Sequence, residues 1–187
     1  WVDSEENTPG AENSREAGPL QLDWHLDAPA HSIAISENGE RIVAAIDDHL
    51  YSFDIDSSVP LWIYSPGHDI ESVALSEDGQ YIALGTAPGI SYLHRNESTG
   101  EIHSWIYGTP GCSGCTSSIA ISSNGNYIVA GTADGSNSRV YLFSMISDIP
   151  IWSYTAGEDI RTVAISDDGE YIAAGGNTNM VYLYSKD

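Results

Sequence analysis

Cys112 and Cys115 form the one local motif of this sequence that could carry chemistry by itself. A C-x-x-C spacing suits half of a zinc site, a redox pair or a small disulfide. The sequence offers no second C-x-x-C and no H-x₃-H for zinc, and Thr116 stands where c-type haem attachment needs His. A redox pair normally begins a helix in an α/β fold, and no such fold is predicted. We therefore favour a disulfide that clamps a surface loop in an exported protein, with free thiols as the alternative.

No other set of residues indicates a reaction. The six histidines are scattered without metal-ligand spacing, and the sequence contains no Ser-His-Asp order, G-x-S-x-G or phosphate-binding loop. Asp-Gly or Asn-Gly pairs recur at Asn38, Asp78, Asn124 and Asp168, which at first resembles a repeated calcium motif. Such pairs between alternating apolar runs are the strongest short-range signal for a hairpin turn. We therefore interpret these acids as turn formers.

The formal net charge of −21 restricts the class of partner. It arises from 27 Asp and Glu residues against 6 Lys and Arg residues. Such a surface repels nucleic acid and anionic lipid headgroups, so neither is expected to bind. A protein partner or self-association remains, and the acidic surface could attract divalent cations. No apolar run approaches the roughly 18 residues that an inserted helix needs, so we expect no membrane insertion.

The sequence also suggests where the protein works. Because it begins with Trp rather than Met, we expect a processed or excised chain whose targeting segment is not visible. The acidity and the predicted disulfide favour an extracellular or cell-surface location. Asn96 begins an Asn-Glu-Ser triplet and is a candidate glycosylation site, although such triplets also arise by chance.

One sequence pattern of about 40 residues occurs four times, which is typical of a propeller or a solenoid. Each repeat has two alternating apolar runs joined by a turn, then a third run rich in Tyr, Phe and Leu, and in the first three repeats a strand that contains Trp follows. We predict an all-β fold, a β-propeller of four four-stranded blades over residues 21–187, preceded by a flexible acidic arm at 1–20. The repeats lie near 31–64, 70–107, 117–154 and 160–187, and 20–26 supplies one more Trp strand.

The order of these strands predicts how the fold closes. The last repeat lacks its Trp strand, whereas the surplus one lies near the front of the chain. We expect Leu20, Leu22, Trp24 and Leu26 to form a closure strand beside Val181–Ser185, so that no long sheet edge is exposed. The alternative is donation of this strand to the last blade of the next chain, which builds a filament if the contacts do not close.

A propeller would also bring acids together on one face. The loops before the first strand and between the second and third strands of each blade share that face. It could bind a cation or a basic partner peptide, and a solvated acidic rim is the alternative. Its members, besides the C-x-x-C loop, are Asp47, Asp48, His68, Asp69, Asp134, Glu158 and Asp159.

These repeats resemble those of WD-repeat β-propellers over about residues 21–187. Gly67-His68 matches the GH dipeptide of that family, and Ala133-Asp134-Gly135 matches its Asp-Gly hairpin. However, Trp-Asp never ends a third strand, where Phe53-Asp54 is nearest, and no repeat carries the family's His, Asp and Trp together. The chain is therefore similar to a divergent WD-repeat propeller, and partners of particular family members are not implied.

We predict a non-enzymatic propeller, without a cofactor, that acts as a protein-binding or structural assembly module. In one variant of this hypothesis the chain polymerises by strand donation. The alternative is a cofactor-binding or hydrolytic propeller enzyme, because Thr99-Gly100 followed by Trp105 gives a weaker similarity to quinoprotein-type repeats. An enzyme of that kind should have a central pocket with convergent polar groups.

Overall fold

The computed structural model describes residues 24–109, 116–177 and 180–187 of the 187-residue chain. The described part forms four antiparallel sheets in chain order, and these are the four predicted blades. Blades 1 and 2 consist of β1 (Ala30–Ile35), β2 (Arg41–Ile46), β3 (His49–Asp54) and β4 (Trp62–Tyr64), then β5 (Ile70–Leu75), β6 (Tyr81–Thr86), β7 (Gly89–Arg95) and β8 (Ile102–Gly108). Blades 3 and 4 consist of β9 (Thr116–Ile121), β10 (Tyr127–Thr132), β11 (Arg139–Ser144) and β12 (Trp152–Thr155), then β13 (Ile160–Ile165), β14 (Tyr171–Gly176) and β15 (Val181–Ser185). A single 3₁₀ turn at Gly135–Asn137 is the helical element of these ranges.

Each blade has apolar side chains on both faces of its sheet, because successive side chains of a strand point to opposite sides. We term the side that packs on the preceding blade the leading face and the other side the trailing face. Three apolar cores lie between consecutive blades, so that each leading face rests on one trailing face. The trailing and leading residues of these cores include Val43 and Leu50 against Val73 and Ile82, Ile90 and Tyr92 against Ile119 and Ile128, and Val140 and Leu142 against Val163 and Ile172.

Hydrogen bonds also join consecutive blades. The backbone N–H of Val73 donates to the Ser32 hydroxyl at 3.1 Å, and that of Val163 donates to the Ser118 hydroxyl at 3.1 Å. The hairpin turns form a second series, in which the N–H of Glu77 donates to the Ser123 carbonyl at 3.0 Å. These bonds fix each blade relative to the next, which makes the loops of different blades one rigid surface.

The turns between the first two strands of each blade share one hydrogen-bonding scheme. In blade 3, the Ser122 hydroxyl donates to Asn124 Oδ1 at 2.8 Å and accepts from the Tyr127 N–H at 3.1 Å. In blade 4, Ser166 and Asp168 take the same roles, with a hydroxyl–carboxylate distance of 2.6 Å. The structure thus agrees with the interpretation of these Asp and Asn residues as turn formers, because their side-chain oxygens accept hydrogen bonds within the turn.

The outer faces of the first and last blades are exposed in part, although Ala44, Ile46 and Phe53 of blade 1 are buried in an apolar cluster with Trp24 and Ala28. Ile33 on the leading face of blade 1 is 70% exposed, whereas the corresponding Val73, Ile119 and Val163 are 6–8% exposed. On the trailing face of blade 4, Val181 is 84% exposed and Leu183 is 73% exposed. The four blades are therefore an arc in which two faces have no blade against them among the described residues.

The predicted closure strand is only partly within the described residues. Leu20 and Leu22 lie outside them, whereas Trp24 and Leu26 lie inside and belong to no strand. The Trp24 ring packs against Phe53 of blade 1, with ring centroids 5.5 Å apart. Within the described part, β15 pairs with β14 alone, so blade 4 has three strands there. Pairing of the closure strand with β15 remains a prediction.

Candidate interaction face

The predicted acidic face is found at one edge of the blades, which we term the acidic edge. Asp47 and Asp48 form the turn between β2 and β3, and the other members lie in loops that precede β5, follow β10 or precede β13. Because Ala30 pairs with Ile46 and Ile46 pairs with His49, these loops and turns all meet at the same end of their sheets. The structure therefore brings the seven predicted residues to one side of the molecule, spread over four blades.

Asp47 and Asp48 make the tight turn of blade 1. Asp47 has a φ of 54°, a left-handed conformation that Asp tolerates better than most residues. Oδ1 of Asp48 lies 2.5 Å from Nδ1 of His49, and the Ser65 hydroxyl donates to the Asp48 carbonyl at 3.3 Å. Asp47 is exposed, so its carboxylate is presented to solvent.

Asp159 has a structural role, because its carboxylate joins the loops of blades 3 and 4. Oδ1 accepts from the Gly135 N–H at 2.8 Å and from the Ser138 hydroxyl at 3.3 Å. Oδ2 accepts from Arg161 at 2.8 Å and from the Asn177 amide at 3.3 Å. With its oxygens so engaged, Asp159 orders the acidic edge more than it offers charge to a partner.

The remaining members differ in accessibility. His68, Asp69 and Glu158 are exposed, and Asp134 is half-buried. The Asp69 carbonyl accepts from the Ala87 N–H at 3.2 Å, which fixes its loop to the turn between β6 and β7. The exposed carboxylates of Asp47, Asp69 and Glu158 are therefore the groups best placed to meet a partner.

The sequence did not reveal a polar cleft of about 480 Å³ between blades 2 and 3 at the acidic edge. Arg139 extends along it, and one of its terminal nitrogens donates to the Ser153 hydroxyl at 3.2 Å. Burial raises the pKa of Tyr141, and the neighbouring Tyr107 raises it further. The cleft is lined by Tyr107, Thr109, Thr132, Asp134, Arg139 and Tyr141.

One signal in the sequence could have revealed this cleft. The loop between β10 and β11 runs from Ala133 to Ser138, whereas the corresponding turns of blades 1 and 2 are the two-residue turns at 47–48 and 87–88. This longer loop lies at the acidic edge and forms one wall of the cleft. Loop length, rather than residue type, was the informative feature.

The other predicted sites have different outcomes. Cys112 and Cys115 lie outside the described residues, so the disulfide stays a prediction. Asn96 lies in the turn between β7 and β8, and its Oδ1 accepts from the N–H groups of Ser98 at 2.9 Å and Thr99 at 3.1 Å. That turn is at the edge opposite to the acidic edge. Glycosylation of Asn96 also stays a prediction.

Metal binding gains no support from the side-chain positions. Within 24–109, 116–177 and 180–187, no group of three or more His, Cys, Asp or Glu side chains could hold a metal ion. The hydroxyl of Ser166 and the N–H of Glu170 lower the pKa of Asp168, which is the effect expected of a carboxylate that accepts hydrogen bonds in a turn. The described residues also contain no helix of the length and apolarity needed to cross a membrane.

Comparison with known proteins agrees with this architecture. The family model for the WD domain, G-beta repeat (WD40), matches residues 104–139 and 149–185. No curated protein matches the chain. Among solved structures, the chain is similar to the β-propeller domain of Cps50 (Swd1) from Myceliophteria thermophila, with 14% sequence identity and a TM-score of 0.67.

The extent of that structural match is informative. It covers 83% of this chain and 52% of the Cps50 domain, so the chain spans about half the length of the structure that it matches. At this identity the likeness concerns the fold. The matched repeats and the shared arrangement of blades together show a four-bladed β-propeller fold whose repeats are similar to WD repeats.

Proposed function

We propose that the protein is a non-enzymatic binding module whose acidic edge takes a basic protein partner. WD-repeat propellers generally serve as protein-interaction scaffolds, and the comparisons favour that class over the alternative of a propeller enzyme. The observation that carries the proposal is the exposure of Asp47, Asp69 and Glu158 on loops of different blades at one edge. Charges placed in this way attract an oppositely charged surface and set the register of its binding.

The edge is suited to binding because it is already ordered. The Asp159 carboxylate holds the loop that contains Gly135, and the Asp69 carbonyl holds the turn that contains Ala87. A partner would therefore meet preformed loops and would lose less free energy to their ordering. The polar cleft offers an anchor point at the same edge.

The cleft favours a cationic side chain from the partner. Asp134 supplies a carboxylate at its wall, and the rings of Tyr107 and Tyr141 supply aromatic surface. A Lys or Arg side chain can pair with the carboxylate and lie against a ring face. Arg139 is already held by Ser153, which turns its guanidinium toward β12. We propose this cleft as the central anchor and the exposed acids as its surroundings.

The charge of the chain favours a setting outside the cytoplasm as part of this proposal. A surface with a formal charge of −21 stays dispersed and resists nonspecific association. An extracellular or cell-surface module with this charge would select basic partners and repel anionic ones. Locating the protein in fractionated cells of its source, with surface labelling, would test this part.

Neutralisation of charge tests the binding proposal. A variant with Asp47→Asn, Asp69→Asn and Glu158→Gln should bind a Lys-rich peptide about tenfold more weakly, because three exposed charges contribute small, additive attractions. The matched control carries Asp56→Asn, Asp148→Asn and Glu37→Gln at the opposite edge. Titration calorimetry at moderate salt compares the two variants. An equal loss in both would show attraction to net charge alone and would refute the acidic edge as the site.

A second candidate function is self-assembly, in which residues 20–26 of one copy complete blade 4 of another. The observation that favours it is the edge of β15, which has no strand beside it among the described residues, together with the contact of Trp24 on blade 1. Deletion of residues 1–27 should abolish any assembly seen by light scattering. Assembly that persists unchanged after this deletion would refute strand donation.

A further inference from the structure

We infer that the two exposed faces of the arc bind each other between two copies of the chain, closing one ring of eight blades. In this ring the leading face of blade 1 in each copy rests on the trailing face of blade 4 in the other. The inference rests on the self-assembly part of the proposed function and specifies its product as a closed dimer. It is argued from internal repetition, because the chain already contains three examples of the same interface.

The leading face of blade 1 has the chemistry of a buried face. Ile33 occupies the position of Val73, Ile119 and Val163, each of which packs on the preceding blade. Ile35 is exposed on the same strand, and an apolar pocket of about 260 Å³ lies beside Trp24 on this face. A surface of this kind in water is costly and marks a site of association.

The trailing face of blade 4 is its complement. Val181 and Leu183 of β15 occupy the positions of Val140 and Leu142 in blade 3, both of which are fully buried. Thr162 stands where Ser32 and Ser118 accept the N–H of the following blade. The corresponding donor in the ring would be the N–H of Ile33 from the second copy.

Trp24 supports the inference through an independent contact. Trp105 packs on Phe143 of the next blade and donates its indole N–H to the Met145 carbonyl at 2.7 Å. Trp152 packs on Tyr184 and donates to the Lys186 carbonyl at 3.1 Å.

Trp24 repeats both features on blade 1, since its ring packs on Phe53 and its N–H donates to the Ile55 carbonyl at 2.8 Å. It therefore occupies the place of the Trp in the fourth strand of a preceding blade. That blade would be blade 4 of the second copy, which has three described strands and an open edge at β15.

The exposure of both end faces favours a second copy over closure within one chain. The three internal interfaces pack fully, yet blade 4 does not reach blade 1, and Ile33 and Leu183 stay exposed. A closed four-bladed ring would need twice the angle between blades that an eight-bladed ring needs. Two copies would cover both end faces with faces of the same kind as those in the internal interfaces.

The charges of the chain lie away from the side chains that would form this contact. The side chains named on the two faces are apolar, apart from the Thr162 hydroxyl, and the predicted partner-binding acids lie at the acidic edge. Long-range repulsion between two copies remains, and salt screens it. The dimer should therefore tighten as the salt concentration rises.

Light scattering after size exclusion tests the inference on the chain of residues 1–187. We expect a single species of twice the 20.1 kDa chain mass, stable as the protein concentration is raised. Leu183→Glu and Ile33→Glu should each give monomers, because each buries a charge in both interfaces of the ring. Both side chains are exposed in the arc, so circular dichroism should show folded variants. Ile149→Glu, at an exposed loop residue away from both faces, is the matched control and should remain dimeric.

A mixture of the two monomeric variants gives the sharpest result. In a mixed pair, one interface carries both substitutions and the other carries neither. The mixture should therefore recover dimers, at higher concentrations than the wild type requires. Dimers of Leu183→Glu alone would indicate a symmetric interface between leading faces and would overturn the inference.

Two further outcomes for the wild type would also overturn it. Masses that grow with concentration would indicate an open filament, which keeps self-assembly and excludes the ring. A monomer at all concentrations and salts would exclude both. Neither result affects the titration of the acidic edge with the Lys-rich peptide, so failure of the binding proposal would be seen separately.

Discussion

At the scale of single residues, a Ser hydroxyl and an Asx side chain organise the turn of every blade. The hydroxyl donates to the Asx oxygen and accepts the N–H that begins the second strand, as Ser122 does with Asn124 and Tyr127. The Asx oxygen in turn accepts an N–H two residues later. These hydrogen bonds within the turn explain why the turns are rich in acidic residues without forming a metal site among the described residues.

Ser122→Ala should lower the free energy of unfolding by about 1–3 kcal/mol, because the part-buried N–H of Tyr127 loses its acceptor, the hydroxyl of the buried Ser122. Denaturant unfolding followed by fluorescence would measure the change. Ser123→Ala is the control, since the backbone of Ser123 makes the interblade bonds. Equal effects of the two substitutions would show that the side-chain bond of Ser122 is unimportant.

Asp168 should titrate below its ordinary pKa of 3.8, because the Ser166 hydroxyl and the Glu170 N–H bind its ionised form. A lowered folded pKa means that this carboxylate contributes stability above the unfolded pKa and loses it as the pH falls through the folded value. Asp168→Asn should remove this pH dependence and keep the turn, as Asn38 and Asn124 do. Carbon-detected NMR gives the midpoint, and a value at or above 3.8 would contradict the assignment.

At the scale of strands, the Trp residues of the fourth strands of blades 2 and 3 contact the next blade. Trp105 and Trp152 donate across the interface to carbonyls that follow a third strand, and Trp24 does the same from outside any described strand. The sequence indicated Trp24 as the surplus strand. The sequence could not indicate which blade the Trp24 indole would contact, because that contact depends on packing between repeats.

Trp24→Phe, Trp105→Phe and Trp152→Phe should each destabilise the protein by about 1 kcal/mol, because one carbonyl of the neighbouring blade loses its hydrogen bond. Similar values for all three would support the equivalence of Trp24 with the other two. Thermal and denaturant unfolding provide the comparison. Trp24→Phe with no effect, beside clear losses for the other two, would mean that Trp24 does not occupy a blade position.

At the scale of the whole molecule, stability depends on how closely one blade approaches the next. A Cβ at Gly131 would overlap Ile160 Cγ2 of blade 4, whereas a Cβ at Gly175 would meet Thr162 Cγ2 at 3.7 Å, an ordinary contact distance. Gly131→Ala should therefore cost about 1–3 kcal/mol through overpacking, and Gly175→Ala should be tolerated within the fold. Unfolding of both variants in the Leu183→Glu background would compare them as monomers. A tolerated Gly131→Ala would mean that blades 3 and 4 are less tightly packed than described.

Local pattern predicted the blades, their turns and the acidic edge, because strand period and Asx-Gly turns depend on neighbours in sequence. It could not predict which faces are exposed. Ile33 and Ile119 stand in the same five-residue run, Ser-Ile-Ala-Ile-Ser, yet one is 70% exposed and the other is 6% exposed. The difference is the presence of a preceding blade, which no local pattern records. The cleft beside Arg139 was missed for a similar reason, since it exists between blades.

Hydroxyl-radical footprinting of the wild type at low and high protein concentration tests the central claim most directly. That claim is an arc of four blades with two complementary exposed faces. It predicts strong labelling of Ile33, Val181 and Leu183 in dilute protein, protection of the same residues in concentrated protein, and constant protection of Leu142. Protection at every concentration in a species of single-chain mass would mean that the chain closes on itself, and labelling at every concentration would mean that the faces bind no second copy. Either result would contradict the account.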